Sequence, residues 1–236
     1  MELSNEVLVR RQWKDDLYQQ LMTKSILRVL EPFVQKDRLT IDVGGNTGYQ
    51  TYFHSQINEV VTYEPVPELF QVLKQNIIGK NPPHKVEFIN AAVGATDHDI
   101  TLYVDTDRLS MTSQTPLVSN VKEIIVPCVA LDLQDHNNVG FIKIDVEGYE
   151  LDVLRGAENI LMRDRPSLMV EIYEPWCKKT NTPSGEYFKF LFDRGYTAFY
   201  YDGSDELVSI NTAEDGEHAV ANHHKLHDGD FLFMER

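Results

Sequence analysis

A chain of 236 residues is long enough for one large domain with its own core, and nothing in its composition marks off a second. Its 22 Lys and Arg stand against 37 Asp and Glu, a formal net charge of -15, which repels a phosphate backbone and argues against a nucleic-acid partner. No apolar run reaches the length of a membrane span, and the opening MELSNEVLVRRQWKDD has no apolar signal core, so the expectation is a cytoplasmic protein that does not engage a membrane.

Trp13, Leu17 and Leu21 recur every four residues and Pro32 ends the pattern, which predicts one or two amphipathic helices in a preface over residues 1–36. Such helices either cover a sheet edge or close over a bound ligand as a lid. From Leu39 onward, short apolar strands alternate with helical patterns: LTIDV and a helix from about Thr47, EVVTYE and a helix opened by Pro67, then VEFINAAV, GFIKID and SLMVEIY. The helix after Pro67 places Leu69, Phe70, Leu73 and Ile77 on one face, with Gly79 expected just past its end. GATDHD, between EFINAAV and DITLYV, reads as a hairpin turn, and GYTAFYYD and DGDFLFMER read as two further strands. The fold class is therefore α/β: a doubly wound, Rossmann-like sheet, mostly parallel, with an antiparallel C-terminal edge. Cys128 and Cys177 are far apart and in no ligand spacing, so they read as reduced structural thiols.

The first chemical signal is Asp42-Val43-Gly44-Gly45-Asn46-Thr47-Gly48, directly after an apolar strand and opening a helix. Glycines there allow a tight turn and the close approach of a ligand to the backbone, while the helix start offers free N–H groups. The pattern is D-x-G-x-N-x-G rather than the dinucleotide G-x-G-x-x-G, and it resembles the cofactor loop of class I methyltransferases. Glu64 ends the next strand, where an acidic side chain can accept from both hydroxyls of a ribose. Asp42, Glu64, Asp145 and Glu147 all fall at or just beyond C-terminal strand ends, the edge where open α/β sheets bind ligands. An acidic rim suits a cationic cofactor such as S-adenosylmethionine better than a pyrophosphate. Each carboxylate taken singly could equally be a helix cap or a solvated loop charge.

The most specific segment is KIDVEGYELDVLRGAE, beginning at Lys143. Taken with IDVGGNTG, TYEPVPELFQVLKQNI, INAAVG and VALDL in the same order, it resembles the FkbM-type methyltransferase family over about residues 39 to 174. The resemblance implies a class I methyltransferase domain over residues 37–236, S-adenosyl-L-methionine as the methyl donor, and O-methylation of a hydroxyl on a sugar, glycan or similar small-molecule acceptor. It also implies that the loop of Asp42, Gly44, Gly45, Asn46 and Gly48 shapes the pocket for the methionine part. Glu64 would hold the ribose, Asn90 and Ala91 would flank the adenine, and Asp145 would lie near the donor's amino group and methyl.

A sulfonium is already an activated donor, so the protein's task is to align the acceptor and accept its proton. Asp145 and Glu147 share a face if the backbone stays extended, and Glu171 ends the neighbouring strand, which makes these three the candidate catalytic carboxylates. They could instead hold a divalent ion such as magnesium, although no metal ligand is assigned. Lys143, on the same strand face as Asp145, is expected to neutralise it. The stretch from Gly203 to Asp228 reads as a long polar loop with His218, His223, His224 and His227, solvated side chains or alternatively a base or metal site. Phe199, Tyr200 and Tyr201 read as strand and core, whereas Trp176 is placed to line the acceptor pocket. A nicotinamide-dependent oxidoreductase and a non-catalytic scaffold on the same fold are the rival readings.

Overall fold

The computed structural model describes residues 31–105, 112–114, 121–202, 207–223 and 229–235. The preface helices with Trp13, Leu17 and Leu21, the greater part of the 105–120 loop, and His224 and His227 lie outside them. The main sheet has eight strands: β1 (Leu39–Val43), β2 (Val60–Tyr63), β3 (Val86–Ile89), β8 (Val139–Ile144), β9 (Ser167–Glu171), β10 (Tyr196–Tyr201), β11 (Leu207–Ile210) and β12 (Asp230–Glu235). Its order is β11-β10-β12-β9-β8-β1-β2-β3. The pairs from β9 through β8, β1 and β2 to β3 are parallel, and those joining β9, β12, β10 and β11 are antiparallel. The predicted parallel sheet with an antiparallel C-terminal edge is thus present.

This order places the topological switch between β1 and β8, from which the chain winds outward in both directions. Ligands of open α/β sheets bind beyond the C-terminal strand ends at that crevice. β1 and β8 earn the centre by composition: LTIDV is buried from Thr40 to Val43 and VGFIKI throughout, as a strand covered on both faces must be. Helices α1 (Tyr49–His54), α2 (Pro67–Lys80), α3 (Glu150–Arg155), α4 (Glu158–Asp164), α5 (Glu174–Thr180), α6 (Ser184–Phe192) and α7 (Ala213–His223) complete the layers. Pro67 opens α2 and Leu69, Phe70, Leu73 and Ile77 are its buried stripe, as the spacing requires. The helix does not stop at Gly79; it runs to Lys80 and closes on Asn81, whose φ of 46° supplies the left-handed turn.

Two further sequence expectations about the elements fail. GATDHD is not a hairpin turn: EFINAAV divides between β3 in the main sheet and β4 (Ala92–Val93) in a separate four-stranded sheet, order β4-β7-β5-β6. There β4 runs parallel to β7 (Val121–Val129), and β5 (His98–Asp105) pairs antiparallel with β7 and with β6 (Thr112–Ser113). The long pairing with β7 captures β5, and no local turn could have announced it.

The second failure is the C-terminal loop. Residues 203–228 contain β11 and α7, so His218 and His223 lie on a helix. A reciprocal cap starts that helix, since Asp215 N donates to Thr212 Oγ1 (3.1 Å) and Thr212 N to Asp215 Oδ2 (3.0 Å). Gly216 lets α7 close on α6, for a Cβ there would sit 2.4 Å from the Phe188 ring.

Candidate active site

The site grows from the ends of β1, β2 and β8. Asp42 is fully buried, and its Oδ2 accepts hydrogen bonds from Thr51 Oγ1 (2.5 Å) and Thr62 Oγ1 (3.5 Å), which ties α1 and β2 to β1. A carboxylate so placed needs a counter-charge. Lys143 on β8 supplies it: Nζ lies 3.6 Å from Asp42 Oδ1 and 3.2 Å from Asp145 Oδ2, and donates to Gly44 O at 2.7 Å. Burial works against the Lys143 ammonium, but Asp145 and Asp42 outweigh it and raise its pKa. The neutralising role expected of Lys143 matches this geometry. Replacing Thr51 by the isosteric Val should cost about 1–3 kcal/mol in a urea melt, because the buried Asp42 loses its shortest hydrogen bond.

The glycine loop wraps over this pair. Gly44 N and Gly45 N both donate to Tyr63 O, at 3.0 and 2.9 Å, and pull the loop onto β2. Gly44 has φ 84°, and a Cβ there would stand 1.9 Å from Asp145 O, so the β1 and β8 ends approach as closely as backbone allows. Asn46, at φ 49°, donates its N–H to Glu64 Oε2 (2.9 Å), and Val66 N donates to Glu64 Oε1 (2.9 Å). Burial pushes the Glu64 pKa up to about 7 against the pull of those donors. Gly48 caps the start of α1 at φ 91°. Asn90 is exposed, and its Nδ2 holds Glu64 O (2.8 Å) and Pro65 O (3.0 Å), whereas the Ala91 methyl is buried in the main core.

Beyond β8 the backbone does not stay extended. Glu147 and Gly148 take φ values of 59° and 104°, so strand alternation cannot be what brings Asp145 and Glu147 together. The turn is closed by Glu150, whose buried Oε1 accepts from Val146 N (3.2 Å) and Gly148 N (2.9 Å). The carboxylates converge all the same. Burial first, then the charges of Asp145 and Glu150, lift Glu147 to about 9 despite the pull of Lys143. Burial, then Asp145, Glu147, Glu150 and Asp230, hold Glu171 well above the usual range, and Glu171 Oε2 is buried with no hydrogen-bond partner among the described residues. Burial also raises Glu150 to about 7.

Glu150 and Asp230 are the site residues that sequence reasoning missed. Glu150 was visible in the KIDVEGYE segment. Asp230 carried no signal, because it reaches the rim only through antiparallel pairing with Glu171. No three His, Cys, Asp or Glu side chains among the described residues are placed to hold one metal ion.

Carboxylates whose folded pKa is raised bind more protons folded than unfolded, so their contribution is fully present below about 4.5 and is lost as pH rises through the folded value. For Glu64 and Glu150 that loss runs from about 4.5 to about 7, and for Glu147 it continues to about 9. Buried His54, lowered by burial to about 4, acts in the opposite sense below its ordinary pKa of 6.5. The melting temperature of the ligand-free protein should therefore fall between pH 7 and 9, and Glu147→Gln should flatten that slope. An unchanged slope in the variant would dissociate Glu147 from the effect.

The methyltransferase FkbM domain matches residues 42–198 of this sequence. The chain belongs to the FkbM methyltransferase family. It is 27% identical over 142 residues to the hexuronic acid methyltransferase AglP of Haloferax volcanii, a match covering 58% of this chain and 57% of that protein. In fold it is similar to the FkbM methyltransferase of Methylobacillus flagellatus (TM-score 0.51, 15% identity, 83% of this chain and 43% of that one). It is also similar to a protein of Streptococcus mutans described as a methyltransferase and solved with S-adenosylhomocysteine (TM-score 0.51, 12% identity, 90% of this chain and 96% of that one). The FkbM match begins at Asp42 and takes in the glycine loop, Glu64, Asn90, Asp145, Glu147, Glu150 and Glu171. The chain thus carries a methyltransferase FkbM domain on a fold shared with solved methyltransferases, and it spans little more than half the length of AglP. No helix among the described residues is long and apolar enough to cross a membrane.

Proposed function

We propose that this chain transfers the methyl group of S-adenosylmethionine to a hydroxyl oxygen of a sugar, a uronic acid or another polyhydroxylated small molecule or glycan. The observation that carries this reading is the gathering of Asp42, Glu64, Asp145, Glu147, Glu171 and Asp230 at one sheet edge, with Lys143 spent on Asp42 and Asp145. Asn46 Oδ1 in the glycine loop, buried without a hydrogen-bond partner among the described residues, fits a donor that brings an ammonium and suits a pyrophosphate poorly. Bound there, the donor supplies an activated methyl group. The partial likeness to a hexuronic acid methyltransferase supports a sugar acceptor, and the net charge of -15 supports a small molecule or glycan over RNA.

In this reading residues 37–236 form the catalytic domain, and the loop of Asp42, Gly44, Gly45, Asn46 and Gly48 shapes the methionine end of the pocket. Glu64 keeps a free lone pair on each oxygen for the ribose hydroxyls, Asn90 and Ala91 flank the adenine, and Asp145 faces the amino group. Glu147 or Glu171 takes the acceptor's proton in its ionised form, which the ammonium and sulfonium of a bound donor would favour against the burial and like charges that raise the proton affinity of both. Incubation with labelled donor and a panel of neutral sugars, uronic acids and ribosomal RNA tests the reading. A sugar gaining one methyl on oxygen is expected, and transfer to RNA alone would overturn it.

A further inference from the structure

Glu150 is buried at the first turn of α3 and pairs with no Lys or Arg among the described residues; its Oε1 accepts from two backbone N–H groups on its own approach turn, Val146 (3.2 Å) and Gly148 (2.9 Å), and its carboxylate also meets the buried Tyr187 hydroxyl. Between those two residues stands Glu147, in the left-handed region that a side chain enters at a cost of about 1 kcal/mol or more. On the far side Gly148 is pinned against α5, where a Cβ would meet Trp176 Cβ at 3.1 Å. Asp145 is fixed separately, its N–H donating to Val43 O (3.1 Å) and its carboxylate pairing with Lys143 (3.2 Å). The part of the turn that depends on Glu150 is therefore Val146 to Gly148.

We infer that Glu150 is a positioning residue, whose carboxylate holds the Val146–Gly148 turn in the shape that keeps Glu147 beside Asp145 and Glu171. The inference rests on the reading of Glu147 or Glu171 as the base that takes the acceptor's proton. It separates two kinds of carboxylate at one rim: those that face the reaction, and one that faces the backbone and acts through Glu147. Glu150→Gln keeps the accepting oxygen and loses the charge, whereas Glu150→Ala loses the oxygen as well.

The test combines amide hydrogen exchange with kinetics in the whole 236-residue chain. Glu150→Ala should exchange the Val146 and Gly148 amides at least about tenfold faster. Its kcat should fall about ten- to a hundredfold, while donor Kd stays within about threefold because Asp145 is held independently. Glu150→Gln should restore the protection and most of kcat. Wild-type exchange in Glu150→Ala, or a Gln variant as impaired as the Ala variant, would overturn the role. If the wild-type chain methylates no sugar offered, the functional reading falls, and the exchange measurement, which needs no acceptor, still decides whether Glu150 holds the turn.

Discussion

Glu64→Ala should weaken binding of S-adenosylmethionine by about thirty- to a thousandfold while leaving the sheet intact. The side chain stands at the end of β2 with each oxygen already accepting one backbone N–H, from Asn46 and Val66. Those bonds fix the plane of the carboxylate and leave each oxygen a lone pair for the proposed ribose hydroxyls. Loss of two charge-assisted hydrogen bonds costs on the order of 2–4 kcal/mol, which is the quoted range of affinity. The substitution also frees the N–H groups of Asn46 and Val66, so a local loosening of the glycine loop adds to the loss. Calorimetry checks the expectation, and wild-type affinity in the variant would remove Glu64 from the ribose role. Binding should also weaken below pH 7, because Glu64 then becomes protonated and ceases to accept from both hydroxyls.

How much of this could be read from the residues depends on the distance over which each decision is made. β1, the start of α2 and the switch-point edge were legible, because apolar runs, a proline at a first-turn position and a glycine loop are signals carried within a few residues. The fate of β5 was not, since its partner β7 lies some twenty residues on and the four-stranded sheet that results has no local turn to announce it. α7 was legible in principle: Thr212-Ala-Glu-Asp215 is a capping pattern before a helix-forming run, and the His-rich end of that run drew attention away from it. At the site, Asp145, Glu147 and Glu171 do converge, but the reason first given for Asp145 and Glu147 fails. Alternation along an extended strand does not place Glu147; a left-handed turn tied by Glu150 does. Strand ends at a switch point bring these carboxylates to one edge by topology, whatever the local backbone rule.

At least one of Glu147→Gln and Glu171→Gln should lower turnover by about a hundred- to ten-thousandfold at saturating donor, with donor affinity little changed. Both side chains sit among like charges in a buried cluster, which holds a proton on each more tightly than water would and makes each a base able to accept the proton an acceptor hydroxyl sheds. Asp145 is the poorer probe, because its carboxylate pairs with Lys143 and is proposed to face the donor, so its loss would confound binding with chemistry. Glu171 Oε2, buried with no hydrogen-bond partner among the described residues, is the acceptor atom in the cluster with most to gain from an incoming hydroxyl. The amide retains the shape of the carboxylate but cannot take the proton, so packing survives and the chemical step does not. Chelator should leave the wild-type rate unaltered if a carboxylate alone does this work. If chelator stops the enzyme and added magnesium restores it, these carboxylates lower the acceptor's pKa through an ion instead. Full activity in both amides with chelator present would refute the carboxylate-base proposal and direct the search for the base to the histidines between Gly203 and Asp228.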